Sequence, residues 1–251
     1  MDPELGIVIP AFNEAHRLPR TLAEILETLE ATPGVGGMPD APKSLGSPTS
    51  FEIIVVDDGS TDGTAATVEA MDDPRVSCLR LPSNQGKGAA VRAGLQATTA
   101  TWVLICDADS STSIAELERL VEKSRATGAA VVVASRADAD SQIGRRQPRR
   151  RELLGQTYNR LLRALGLTSL YDTQCGFKLL RGDLARSLAP RLRTEGFAYD
   201  VELLWLAERA GATPVSVGVR WDHDDGTSVQ TLRHGSRLVL DAVSYTHLRA
   251  H

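Results

Sequence analysis

The sequence predicts an α/β fold in which a mostly parallel sheet is flanked by helices. The first half alternates short, strand-like apolar runs with longer helix-like patterns, the mark of parallel strands joined by crossover helices. The chain has 251 residues, 42% hydrophobic and 24% charged. That composition argues against extended disorder and lets one large core form as a single domain. Three of the apolar runs end in polar signatures, as expected where an open α/β sheet binds ligands beyond the carboxyl ends of its strands.

In chain order, strands are expected at Leu5 to Ala11, Glu52 to Asp57, Val76 to Leu81, Trp102 to Asp107 and Ala129 to Ser135. Leu18, Leu22, Ile25, Leu26 and Leu29 form one apolar helical face after the first strand. Residues 31 to 50 hold four prolines and four glycines, so they cannot continue that helix and read as a long surface loop. Asn84 stands as the cap of a helix starting in "NQGKGAAVRAG". Ser113 followed by Glu116 reads as a capping box opening a helix through Arg125. After about residue 137 the alternation weakens. A helix from Arg149 to Leu165, a strand near Asp172 to Leu180, a helix from Tyr199 to Arg209 and a strand from Thr213 to Trp221 read as smaller additions at the far edge of the sheet. No internal repeat is present. The expected organisation is one domain over 1–243, a ligand half to about 136 followed by a second half over about 137–229.

The net charge of −4 gives no general attraction to nucleic acid. It averages over a local run, "GRRQPRRR", with Arg145, Arg146, Arg149, Arg150 and Arg151. Cys78, Cys106 and Cys175 are odd in number and widely spaced, which fits free thiols in a reducing compartment and implies no metal site of their own. The N-terminus lacks a basic leader region, and no apolar stretch approaches the ~18 residues needed to span a bilayer, so a cytoplasmic location is expected. "SYTHLRAH", residues 244 to 251, has neither a helix stop nor core periodicity and reads as a non-native or truncated tail.

The polar strand ends carry the functional signal. The first strand runs into Asn13 and Glu14, the second into Asp57 and Asp58, and the fourth into Asp107 and Asp109. Two carboxylates about 4 Å apart repel by roughly 4 kcal/mol at an effective dielectric near 20, so Asp107 and Asp109 call for a bridging cation. A hard divalent ion that takes one or two carboxylates plus substrate phosphates meets that need. Turn and helix-cap chemistry is the other reading of "CDADSS" and of "DGSTDG". "NQGKGAA" is no P-loop, because Gly88 rather than Ser or Thr follows Lys87.

Taken together, "VIPAFNE", "IIVVDDGSTDGT", "SNQGKGAAVRAG", "ICDADSS" and "DTQCGFKLL" resemble the family 2 glycosyltransferases, the last two strings most of all the branch acting on polyprenyl phosphates such as dolichyl phosphate. The likeness runs from about Ile7 to Val229. It implies the A-type glycosyltransferase fold, a nucleotide-binding parallel sheet with a smaller antiparallel addition. It also implies that Pro10, Phe12 and Glu14 line the nucleobase and ribose pocket and that Asp58 holds the nucleoside. By the same resemblance Asp107 and Asp109 carry Mg²⁺ or Mn²⁺, Lys87 lies near the nucleoside and donor sugar, and Asp172, Thr173, Gln174 and Gly176 shape the acceptor and donor-sugar side.

The acceptor class turns on proton chemistry. A sugar hydroxyl must lose a proton during attack, whereas a phosphate monoester is already a charged nucleophile at neutral pH. Arg136 and the arginine run suit a phosphate and an anionic membrane surface. Leu153, Leu154, Tyr158, Leu161, Leu162 and Leu165 form one stripe, either a core face or a membrane-lying face. Asp200, in "GFAYDVELLW", matches the acid that serves as base in relatives with hydroxyl acceptors. His223 either faces the metal and diphosphate or is an exposed loop residue. The expectation is an inverting, metal-dependent transfer of glucose from UDP-glucose to a polyprenyl phosphate at the cytoplasmic membrane face. GDP-mannose as donor, a hydroxyl acceptor with Asp200 as base, and a non-catalytic nucleotide-sugar binding module stay open as alternatives.

Overall fold

The computed structural model describes residues 2–31, 50–145 and 148–222, and of Arg149, Arg150 and Arg151 the backbone. The loop expected between residues 31 and 50, Arg146, His223 and the tail from 244 lie outside the described residues or nearly so. The strands are β1 (Leu5–Ala11), β2 (Phe51–Asp57), β3 (Val76–Arg80), β4 (Trp102–Cys106), β5 (Val131–Ser135), β6 (Gln142–Ile143), β7 (Phe177–Arg181), β8 (Val215–Gly218) and β9 (Arg220–Trp221). The helices are α1 (Leu18–Ala31), α2 (Thr64–Glu69), α3 (Lys87–Ala97), α4 (Leu117–Thr127), α5 (Arg149–Ala164), α6 (Gly182–Leu188) and α7 (Tyr199–Arg209).

Seven strands form one sheet in the order β3-β2-β1-β4-β7-β5-β8, and β6 pairs with β9 beside it. β1 pairs in parallel with β2 and β4, and β5 pairs in parallel with β8. β7 alone runs against its neighbours, opposite β4 on one side and β5 on the other. Strands buried on both faces read as continuous apolar runs, and β1, β4 and β5 are buried at every position. One layer packs Ile7, Ile53, Val55 and Leu104 under Leu18, Leu22, Leu117 and Leu120 of α1 and α4. The other packs Val8, Val56, Ile105 and Val133 under Val91, Leu188 and Leu203 of α3, α6 and α7.

Four local expectations change. Ser113 does not form a capping box. Its Oγ accepts from Ala115 N and donates to Glu24, so a single 3₁₀ turn over Ile114–Glu116 precedes α4. Asn84 does not cap α3; Gly86 occupies that position, and the Gly88 and Ala89 N–H groups donate to the Glu195 carbonyl. Residues 172–176 are loop rather than strand, since Asp172 folds back to accept from Gln174 N. The last strand divides at Val219, whose N–H still reaches Ser135 while its carbonyl accepts from Gln142 N, so the chain passes from one sheet to the other.

Candidate functional site

The parallel strands bring their carboxyl ends to one rim. Ala11 lies beside Asp57 in register, and Asp107 directly follows the end of β4. Because β7 is antiparallel, with Phe177 opposite Cys106, it enters the sheet at the rim where the others leave it. The Asp172–Gly176 loop therefore arrives beside Asp107. β5 leaves at the same rim and presents Arg136.

Two loops fix the β1 and β2 ends to each other. Asn13, in the left-handed region at φ 56°, donates its N–H to Ser60 Oγ and accepts from Thr61 N through Oδ1. Glu14 pairs with Arg17 through both carboxylate oxygens at 2.6 Å. Burial raises the Glu14 pKa against the opposing pull of Arg17, and the negative charges of Asp109 and Asp107 add a little to the rise. Pro10 is buried in β1 opposite Val56, while Phe12 is exposed. Asp58 is buried; its two oxygens accept from Gln85 N at 2.7 Å and Gly86 N at 2.8 Å, so it holds the loop that leads into Lys87.

Lys87, in the first turn of α3, donates to Asp107 Oδ1 at 2.6 Å and stands 5.9 Å from the ring centres of Phe197 and Tyr199. Burial works against its charge, but the carboxylates of Asp107, Asp200 and Asp109 more than offset that, and its pKa lies above the ordinary lysine value. Asp109 is ordered by Ser111 N, which donates to Oδ1 at 3.0 Å. Burial and then the Asp107 charge raise its pKa. Gly176 closes the floor. A Cβ there would fall 1.9 Å from Asp107 Oδ2, so only glycine lets the Cys175–Gly176 backbone lie against that carboxylate.

On the far side Arg136 donates through Nε and Nη2 to both oxygens of buried Asp172, at 2.7 and 2.8 Å, with its guanidinium 5.5 Å from the centre of the Trp221 ring. Burial opposes the charge and Asp172 restores it, leaving the Arg136 pKa above its usual value and that of Asp172 below. Gln174 is half-buried in the same loop. Asp200, in the first turn of α7, is buried in an ion pair with Lys178, whose side chain has no exposed surface. The start of α3, where a phosphate could otherwise bind a helix N-terminus, is filled by the Glu195 carbonyl, and Glu202 holds that loop by accepting from Arg193 N and Thr194 N.

The description Glycosyl transferase family 2 matches residues 6–188. This chain is a family 2 glycosyltransferase. The glycosyltransferase is 35% identical over 238 residues to the dolichyl-phosphate beta-glucosyltransferase of Drosophila melanogaster, covering 90% of this chain and 69% of that protein. It is 31% identical over 247 residues to the enzyme of the same name from Dictyostelium discoideum, covering 95% and 72%. Among solved structures, glucosyl-3-phosphoglycerate synthase of Mycobacterium tuberculosis in complex with Mn²⁺, UDP-glucose and phosphoglyceric acid superposes with a TM-score of 0.69 at 19% identity, covering 97% of this chain and 79% of that one. The fold of this glycosyltransferase is thus the A-type fold.

The donor set at the rim fits a hard divalent cation better than zinc. Asp107, which already accepts from Lys87, and Asp109, whose pKa the Asp107 charge raises, supply carboxylate oxygens, and no cluster of three or more His, Cys, Asp or Glu occurs among the described residues. Two carboxylates leave most positions to a ligand's own oxygens, the arrangement Mg²⁺ uses with phosphates. Sequence reasoning overlooked Lys178, Phe197 and Tyr199. Lys178 left a readable signal, a lone cation inside the apolar string "GFKLL". The two aromatic rings left none, because only the packing of the 193–197 loop and the start of α7 on α3 brings them to Lys87.

Proposed function

We propose that this glycosyltransferase moves glucose from UDP-glucose to a polyprenyl phosphate of the dolichyl type, with inversion, at the cytoplasmic face of a membrane. The observation that carries the reading is the state of Asp200: the acid that the family resemblance matches to the base of hydroxyl-acceptor relatives is held in a buried ion pair with Lys178. An acceptor that is already ionised needs no base. The names of the relatives support the same donor sugar and acceptor.

In this reading Pro10, Phe12 and Glu14 line the nucleoside pocket, and Asp58 shapes it through the Gln85–Gly86 backbone. Asp107 and Asp109 hold Mg²⁺ or Mn²⁺, which supplies positive charge to the departing diphosphate. Lys87 adds a fixed cation next to Asp107, preorganised by its ion pair. Gln174 faces the sugar, and Arg136 presents Nη1 to the acceptor phosphate while Nε and Nη2 stay on Asp172. The acceptor oxygen attacks the anomeric carbon opposite the leaving diphosphate, in one displacement with no covalent intermediate.

The membrane surface is assigned to α5. Leu153, Leu154 and Leu161 are exposed along it, Tyr171 is exposed beside it, and Arg163 lies 4.1 Å over the Tyr171 ring. The arginine run leads directly into the helix. Apolar side chains ringed by cations suit an anionic bilayer surface. No described helix is long and apolar enough to cross a membrane.

The test is transfer of labelled glucose from UDP-glucose to a short polyprenyl phosphate and, in parallel, to the free polyprenol. Transfer only to the phosphate is expected, with Asp200→Asn, read alongside its thermal unfolding because the change strands the buried Lys178 charge, keeping much of the rate per folded enzyme. A general base would lose roughly 10²- to 10⁴-fold on that change. Arg136→Ala would strand buried Asp172 without a partner, so Arg136→Lys is the cleaner probe. It should raise the requirement for polyprenyl phosphate and leave UDP-glucose binding nearly unchanged. Transfer to the alcohol, or collapse of Asp200→Asn, would favour a hydroxyl acceptor.

A further inference from the structure

Lys178 sits in the middle of the sheet. It lies on β7, in register with Ile105 of β4 on one side and Val133 of β5 on the other, and has no exposed surface. An ammonium in such surroundings is costly to desolvate, and apolar residues of similar volume commonly replace buried ion pairs without loss of stability. Stability alone therefore gives no reason for lysine here. Its partners do. Nζ donates to the Cys175 carbonyl at 2.6 Å and to the Asp200 carboxylate. The Cys175 carbonyl belongs to the peptide whose other end is Gly176, and Gly176 is the residue packed against the Asp107 carboxylate. Asp200 in turn acts electrostatically on Lys87, the other neighbour of Asp107.

We propose that Lys178 is a positioning residue for the metal-ligating pair. By holding the Cys175 carbonyl it keeps the Gly176 backbone as a shelf beneath Asp107, while Asp200 supplies the buried counter-charge. The proposal rests on the reading of Asp107 and Asp109 as metal ligands and extends it to a residue that touches neither donor nor acceptor.

The test measures Mn²⁺ affinity in the presence of UDP and without acceptor, by the electron paramagnetic resonance signal of free Mn²⁺, together with thermal unfolding. Lys178→Met combined with Asp200→Asn removes both buried charges, so neither is stranded. Asp200→Asn alone keeps the tether to Cys175. Groups that orient metal ligands from behind typically contribute about 10- to 100-fold in affinity, and the double variant should lose that much while still unfolding cooperatively. Asp200→Asn, which strands the Lys178 charge and should therefore lower the melting temperature, should lose clearly less Mn²⁺ affinity than the double variant. Gly176→Ala, which pushes directly on Asp107 and leaves Lys178 in place, should also weaken Mn²⁺ binding, and it decides the matter if the double variant does not fold. Wild-type affinity in the double variant or in Gly176→Ala would overturn the proposal. Equal losses in Asp200→Asn and the double variant would do so too, by placing the effect in the ion pair rather than the tether. A wild type that takes up no Mn²⁺ with UDP would overturn the metal reading and this proposal with it.

Discussion

Asp109 carries a conflict between folding and chemistry. Its pKa is raised by burial and by the neighbouring charge of Asp107, so the folded state holds the ionised form less readily than the unfolded chain does. The sign follows: the group adds nothing unfavourable below the ordinary aspartate range, and it disfavours the fold as pH rises through the raised value. Asp109→Asn keeps an acceptor for Ser111 N and removes the charge. The metal-free variant should melt above the wild type at pH 7, and the gap should close as the pH is lowered below the usual carboxylate range. On the proposed metal reading, the same change should abolish glucosyl transfer and any upward shift of melting temperature on addition of Mn²⁺ with UDP. Thermal scans at several pH values check both. At this scale the sequence was readable where charge repulsion speaks for itself, as with "DAD". It was silent on Gly176, since a glycine in "QCGF" looks like turn chemistry until the Asp107 carboxylate is found against it.

α5 shows what a helical pattern leaves undecided. Leu153, Leu154, Tyr158, Leu161, Leu162 and Leu165 share one stripe in sequence, but contact with Val201 of α7 and Leu167 buries only Tyr158 and Leu162 fully and Leu165 in part. The helix meets the body of the protein along a narrow line, so periodicity identified the apolar side and could not say how much of it is covered. The split gives opposite expectations. Leu162→Ala should cost about 2 to 5 kcal/mol of stability, as buried leucines generally do. Replacing Leu153, Leu154 and Leu161 by serine should leave the melting temperature nearly unchanged and weaken binding to anionic vesicles, measured by co-sedimentation. Neutralising three of the arginines in the run from Arg145 to Arg151 at the helix start should weaken it further, by about 1 kcal/mol per charge, with the loss shrinking in high salt.

Across the whole molecule, β1, β2, β4 and β5 were legible because burial on both faces makes them almost continuously apolar, while the edge strand β3 showed only as a shorter mixed run. The direction and place of β7 were not. A five-residue apolar strand reads the same whichever way it runs, and nothing local in "FKLLR" shows that it lies between β4 and β5. Yet that placement brings the Asp172–Gly176 loop to the rim and makes one site from distant parts of the chain. The contact of the 193–197 loop with α3 is a second such link. Gly88→Ala would put a methyl 2.1 Å from the Thr194 carbonyl, so it should displace the loop and lower transfer, with a smaller effect on UDP binding.

The intercalated strand also governs how this protein can be made. On the ribosome β4 and β5 emerge long before β7, and until Phe177–Arg181 arrives they have no shared partner: β4 ends the β3-β2-β1-β4 sheet as an open edge, and β5 has nothing to pair with. Unpaired, apolar strand edges recruit other chains. A fragment stopping at residue 170 should therefore collect in the insoluble fraction, whereas one reaching residue 222 should be recovered soluble. Slowing translation across α5 should accordingly lower the yield of active enzyme.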